Sequence, residues 1–183
     1  MGKEFKLGIF MPSVSHSPNI SAYKPDPDDW TFSKNVEIAK IAEKAGFDFL
    51  FPISRWRTIG GRINFHGNSL ETMTWAAGLL ASTKRMEIFS TVHVPVFNPV
   101  VVAKMGATLD HMSGGRWGIN IVSGWNKAEF DMMGLEMLPH ESRYERSTDF
   151  INILKGLWLE EPGRFNFRSR FYTVKGGYCM PQP

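Results

Sequence analysis

A single cysteine, Cys179, among 183 residues excludes a framework of intrachain disulfides. Its Gly/Pro surroundings suit a structural or incidental thiol rather than a nucleophile. No stretch approaches the ~18 consecutive apolar residues that a bilayer-spanning helix needs. No run of five basic residues appears either, and a formal charge of +3 is too small and too dispersed to point to nucleic acid. The opening MGKEFKLGIFMPS has too short an apolar stretch for the centre of a signal peptide, so the expectation is a cytoplasmic protein. His16, His66, His93, His111 and His140 are scattered, and neither HExxH nor paired Cys/His spacing occurs, so no metal site is expected. G-x-S-x-G is also missing, which removes the serine-hydrolase arrangement. The first strand is followed by MPSVSHSP, without a glycine, which argues against dinucleotide-binding and P-loop folds.

What remains is a chain with 43% hydrophobic and 13% aromatic residues, enough for a real core. Residues 5–11 form a short apolar run closed by Pro12, and residues 13–29 lack any hydrophobic period and read as a long loop. From Phe32 a helical stripe of Val36, Ala39, Ile41, Ala42 and Ala45 runs to Gly46, placed as a left-handed C-terminal cap. A strand over 47–51 and a Gly-rich loop over 56–67 come next. Asn68 and Glu71 have capping-box spacing ahead of a helix through Met73, Trp75, Ala76, Leu79 and Leu80. A third strand is read over 86–91. Asn98-Pro99 opens a helix that Ser113-Gly114-Gly115 ends, and residues 117–122 form a fourth strand. A broken helical stretch precedes a long amphipathic helix over 142–158, with Phe150, Ile153, Leu154, Leu157 and Trp158 as its buried stripe. The aromatic alternation of Phe165, Phe167, Phe171 and Tyr172 suggests a small appended hairpin within 161–183.

The order βαβαβαβα predicts an α/β fold with a parallel sheet and right-handed crossovers, in one domain over 1–183. Long polar loops after the first two strands match a TIM barrel, which carries its chemistry beyond the C-terminal ends of its strands. A (β/α)8 barrel needs eight strands and about 250 residues. The four units read here are half that number, so the chain is either a fragment or closes against something else.

Polar residues at strand ends are the candidates for chemistry. Thr91 closes MEIFST, and Asn120 interrupts the apolar run WGINIV, where an amide is normally avoided. Asn120 is either a buried amide satisfied by backbone or, inside a barrel, a donor to a heteroaromatic ring or a reacting oxygen. Trp125 is either a packing residue or a planar wall for a planar ligand. Arg143-Tyr144, near the start of the long helix, are either solvated or suited to a phosphate. Arg55, Arg57 and Arg62 in the second loop are likewise either solvated or in contact with an anion or cofactor.

Two stretches, ATLDHMSGGRWGINIVSGWNKAEFDMMG (107–134) and HESRYERSTDF (140–150), resemble the bacterial-luciferase-like flavin monooxygenases. Within that family they are most similar to the branch containing pyrimidine oxygenase, dimethylsulfone monooxygenase and alkanesulfonate monooxygenase. AEKAGFDF (42–49), SLETMTWAAGLLASTKRMEI (69–88) and NPVVVAKMGATLDHMSGGR (98–116) extend the match over nearly the whole chain.

The resemblance implies a (β/α)8 TIM barrel, of which this chain supplies about the N-terminal half, strands one to four, and which binds reduced FMN, supplied by a separate NAD(P)H-dependent flavin reductase, and reacts it with O₂. Carried over by position, FMN contacts fall on Ser54, Arg55, Asn120, Glu129, Arg143 and Tyr144. Thr91 and Asn120 are placed where oxygen meets the flavin, and Trp125 near the substrate. A homo-oligomer, as a dimer, is expected. At Ser54, Arg55 and Trp56 the chain departs from the pyrimidine oxygenase pattern of Ile, Lys and Leu, so N-heterocycles, sulfones, sulfonates and haloaromatics all stay open as substrates. Two other readings are a non-catalytic half-barrel that binds flavin or assembles with a relative, and an F420-dependent oxidoreductase of the same superfamily.

Overall fold

The computed structural model describes residues 5–10, 12–16, 21–23 and 28–183. Met11 and parts of the first long loop, over which the sequence predicts a strand end and an irregular segment, lie outside the described residues. Eleven elements follow in the order β1 (Gly8–Phe10), α1 (Phe32–Ala45), β2 (Phe49–Phe51), α2 (Thr72–Ser82), β3 (Glu87–His93), α3 (Pro99–Ser113), β4 (Trp117–Val122), α4 (Lys127–Met132), α5 (His140–Leu159), β5 (Phe165–Arg168) and β6 (Thr173–Gly177). The first four strands form one sheet in the order β1-β2-β3-β4. β1 and β2 run parallel, as do β2 and β3. The bonds from Ile88 N to Arg116 O and from Val94 N to Val122 O advance six residues on each strand, so β4 is parallel as well. Four parallel βα units are thus present, half the number of a (β/α)8 barrel. β5 and β6 make a separate antiparallel pair, the hairpin suggested by the aromatic alternation.

The chain divides into two compact units, Met1–Thr91 with Arg116–Asn120, and Val92–Gly115 with Ile121–Pro183.

In the first unit the outward face of the sheet carries Leu50 and Ile88, both fully buried, and α2 contributes Met73, Trp75, Leu79 and Leu80 to the same core. Asn35 of α1 is buried because its amide is fully used: it donates to Thr31 O and accepts from the Trp75 indole at 2.8 Å. The opposite sheet face is aromatic. Phe51 packs against Phe10 and Phe89 at centroid distances of 5.6 and 5.5 Å, and Phe49 meets Phe89 edge-on at 5.7 Å. Gly118 lies beneath Phe89, and a Cβ there would come within 2.5 Å of its ring.

In the second unit α3 packs on α5. Val102, Ala103 and Ala107 are buried on α3, and Phe150, Ile153, Leu154 and Leu157 are buried on α5, the last four as its apolar stripe predicts. Trp158 is only half-buried and donates its indole N–H to Ala103 O at 3.0 Å. Cys179 is 2% exposed beside Ala103 O, and burial pushes its thiol above the ordinary range, as an unreactive structural residue requires.

Helix ends follow the local signals at α1 and α3, whereas α5 starts two residues ahead of the predicted Ser142 and ends one beyond Trp158. Gly46 and Gly114 take left-handed conformations after α1 and α3, and Asn98 caps α3 with Pro99 behind it. At α2 the cap is Glu71, whose own carboxylate accepts from Met73 N and Thr74 N, rather than Asn68. Asn68 instead pairs with Ser15 of the preceding loop, donating its N–H to the hydroxyl at 3.0 Å.

Candidate functional site

β3 runs past the predicted end at Thr91 to His93. Thr91 is therefore an interior strand residue, on the same face as Phe89. Its backbone is locked by Thr72 of α2: the Thr72 hydroxyl donates to Thr91 O at 2.7 Å and accepts from Thr91 N at 3.1 Å. Its hydroxyl donates to Pro52 O at 3.0 Å, just beyond β2. Asn120 of β4 donates from Nδ2 to that same hydroxyl at 3.3 Å. The two predicted residues thus share one face and touch, and Thr91, 5% exposed, is held from β4, from the residue after β2 and from α2. Thr72 is a positioning residue that sequence reasoning did not single out. The cue for it was weak: a threonine in the first turn of a helix is commonplace.

Ser54 and Arg55 lie in the loop after β2. Ser54 is buried, and Arg55 is half-buried with Nη1 donating to Ser54 O at 3.2 Å. Arg57 and Arg62, which the sequence grouped with Arg55, are exposed. The loop is tied down by Ser13, whose hydroxyl donates to Ile53 O at 2.9 Å.

In the second unit, the turn after β4 needs Gly124, whose φ is 85°. Arg143 reaches this turn from α5 and donates through Nη1 to Gly124 O. Ser123 and Ser147 are joined through their hydroxyls at 2.7 Å, and Ser147 donates to Arg143 O at 3.0 Å. Arg143 Nε is buried with no hydrogen-bond partner, and α5 begins at Pro139 without any side-chain cap. A donor aimed at nothing beside open helix N–H groups fits a phosphate-bearing group. Tyr144 is 57% exposed, its ring against His140 at 4.8 Å, and Trp125 is exposed as well.

Glu129 of α4 is 6% exposed, and its Oε2 lies 3.8 Å from Nδ1 of the equally buried His93. The two line a cavity of ≈ 10 Å³ with Phe130, Gly124 and Pro95, room for about one water. The sequence placed Glu129 at the cofactor only by resemblance, and it passed over His93 as one of five scattered imidazoles. Their partnership joins a strand end to a short helix 36 residues later, a distance over which no local pattern reports. Among the described residues no cluster of three or more His, Cys, Asp or Glu is arranged to hold a metal ion. No helix among them is long and apolar enough to cross a membrane.

Residues 5–183 match the family model for luciferase-like monooxygenases. Pyrimidine monooxygenase RutA of Shigella flexneri serotype X (strain 2002017) is 36% identical over 182 residues, which are 97% of this chain and 46% of that protein. Among solved structures, riboflavin lyase (RcaE) with modified FMN and substrate riboflavin superposes with TM-score 0.83 at 25% identity, over 98% of this chain and 47% of that one. EDTA monooxygenase (EmoA) from Chelativorans sp. BNC1 gives 0.82 at 20% identity, over 97% and 46%. The chain spans about half the length of the relatives it matches. With its four parallel βα units and a family match over nearly every residue, the chain belongs to the luciferase-like monooxygenases.

Proposed function

We propose that the chain contributes the first four βα units of a flavin-dependent monooxygenase. That enzyme takes reduced FMN from a separate NAD(P)H-dependent flavin reductase and uses O₂ to oxygenate a small organic substrate: an N-heterocycle, sulfone, sulfonate or haloaromatic. It works in the cytoplasm as a homo-oligomer, in the simplest case a dimer. The observation that carries this reading is the hydrogen bond from Asn120 to Thr91 on one sheet face near the C-terminal ends of parallel strands, where barrels place their chemistry.

When bound, reduced FMN supplies the electrons that activate O₂. The protein's part is to bind, orient and keep water out. Thr91 spends its proton on Pro52 O and its lone pair on Asn120, so neither side chain has to reorganise when charge develops nearby. The Asn120 amide is the group assigned to the ring or the reacting oxygen. Arg143 is assigned to the cofactor's phosphate, with the uncapped first turn of α5 and with Tyr144 beside it. Ser54, Arg55 and Glu129 are assigned to the remaining flavin contacts, and Trp125 to the substrate side.

The test is to titrate the purified chain with FMN and with F420, then to supply FMN, a flavin reductase and NADH, and follow O₂ uptake. Uracil, dimethylsulfone and methanesulfonate serve as probes. FMN binding with substrate-dependent O₂ consumption supports the reading. Binding without consumption favours a flavin-binding half-barrel, and a preference for F420 overturns the cofactor assignment.

A further inference from the structure

The loops after β1 and β2, both within the first unit, contain buried hydrogen-bonding atoms that the protein does not use. His66 is 3% exposed, and neither of its ring nitrogens has a hydrogen-bond partner. Nδ1 of His16 and the hydroxyl of Ser69 are likewise buried and unpartnered. Backbone pairing gathers the two loops: Val14 bridges Ser69, Ser15 N donates to Asn68 O at 2.9 Å, and Leu70 N donates to Ser13 O at 3.0 Å. Buried polar atoms are almost always satisfied in native proteins, so a group of orphans in one pair of loops requires an explanation.

The backbone adds a second observation. Among the described residues, the non-glycine residues with left-handed φ are His16 (59°), Asn64 (48°) and His66 (54°). Both imidazoles are thus presented from conformations that side chains avoid, a form of strain that collects at binding and catalytic sites.

Charge selects the ligand. Burial, then the Arg55 guanidinium, then His16 hold the His66 ring neutral down to about pH 4. The nearby carboxylate, Asp29, accepts from the backbone N–H of His16 through Oδ2 at 3.2 Å, while its Oδ1 is buried without a partner. It bonds the backbone of His16, and the charges that lower the His66 ring are those of Arg55 and His16. A cation here would be repelled by Arg55, and an apolar ligand would leave every orphan atom unsatisfied. An oxyanion accepts from imidazole N–H groups and a hydroxyl together, is attracted by Arg55, and compensates a proton taken up by His66.

We propose that His16, His66 and Ser69, with Arg55 supplying charge, form the end of the substrate site that recognises an oxyanion, a carboxylate or sulfonate carried by the substrate. This rests on the monooxygenase reading for the word substrate, but not for the site itself.

The full chain, labelled with ¹⁵N at histidine, is titrated with pH while its imidazole nitrogens are followed by NMR. Acetate, benzoate and methanesulfonate are the anionic probes, and uracil and dimethylsulfone the neutral ones. The anions are expected to move the His66 titration upward from about 4 toward or beyond 6.5. A preference between carboxylates and methanesulfonate identifies the oxyanion. Unmoved imidazoles, or equal shifts with the neutral probes, overturn the proposal, and this readout on the unmutated protein does not depend on a variant that folds. His66→Gln, which keeps a hydrogen-bonding amide but cannot take a proton, is expected to weaken benzoate binding roughly 10-fold. Undiminished binding to a folded His66→Gln chain also counts against it. FMN is titrated in parallel: if flavin binds but the anions leave His66 unmoved, this inference fails alone. If the anions move His66 but flavin does not bind, the anion site stands and the monooxygenase reading fails.

Discussion

The Asn120 amide crosses from β4 to the Thr91 hydroxyl on β3, 3.3 Å away, and that hydroxyl passes its own proton to Pro52 O beyond β2. One chain of hydrogen bonds thus spans three parallel strands on a single face. Replacing Asn120 by Ala removes a pre-aimed donor without opening a tightly packed core. Turnover is expected to fall by about 10²- to 10³-fold, the usual loss for such a donor. Circular dichroism checks that the fold survives, and substrate-dependent O₂ uptake reads the loss. A folded Asn120→Ala enzyme with normal turnover would show that the pair is only structural.

Arg143→Ala removes both the bond to Gly124 O and the buried, unpaired Nε. Bonds to a charged group contribute about 1.5 to 3 kcal/mol, so FMN affinity is expected to drop about 10- to 100-fold. Riboflavin, which has no phosphate, is the control. Fluorescence titrations should show the variant losing its preference for FMN, and equal losses for both ligands would remove Arg143 from the phosphate.

Glu43 of α1 caps the turn into β3 with its carboxylate, which accepts from the backbone N–H groups of Lys84 at 3.0 Å, Arg85 at 2.6 Å and Met86 at 2.9 Å. Burial pushes its carboxyl up, but those donors and the Arg85 charge prevail and leave it below the ordinary 4.5. Because the folded value is depressed, the stabilisation is present above the unfolded value and is lost as pH falls through the folded one. Because these bonds are largely exposed to solvent, Glu43→Gln is expected to cost about 0.5 to 1 kcal/mol at neutral pH and less in acid. Urea unfolding of both proteins across the acid range measures the difference.

His66 gives a pH dependence in a different window. The unfolded ring takes up its proton near 6.5 and the folded one only near 4, so stability is full above 6.5 and declines as pH falls toward 4. In His66→Gln this component of the slope should disappear, which unfolding midpoints at several pH values would reveal. An unchanged slope would place the titrating group elsewhere.

Gly156 of α5 lies under Phe165 of the hairpin, where a Cβ would come within 2.0 Å of the ring. Gly156→Ala forces ring and helix apart, and overpacking of this kind costs about 1 to 3 kcal/mol. A thermal melt reads the loss. Phe165→Leu in the same chain should restore part of it if the clash is the cause.

Much of the fold can be read along the chain because its signals are short-ranged. The helix of residues 32–45 ends at Gly46 because a left-handed residue there costs glycine nothing, and Asn98-Pro99 opens α3 through a bond from Asn98 Oδ1 to the N–H of Val100, two residues on. β4 has the predicted bounds, since Gly114-Gly115 and Ser123-Gly124 delimit it on either side. Where a signal had two local claimants, the nearer one prevailed: Glu71 capped α2 from the adjacent position, leaving Asn68 to the neighbouring loop.

The candidate site divides along the same line. Asn120 and Thr91 stand out in sequence because a polar side chain interrupts or ends an apolar strand, and the family resemblance marked Arg143 and Glu129. Nothing in the order of residues revealed that Thr72 locks Thr91, that His93 faces Glu129, or that His16 and His66 are brought together from separate loops. Periodicity and capping depend on neighbours within a turn or two, so the amino-acid order alone dictated the succession of strands and helices. Which polar groups found partners, and which were buried without one, was settled only when segments tens of residues apart closed on each other and excluded water.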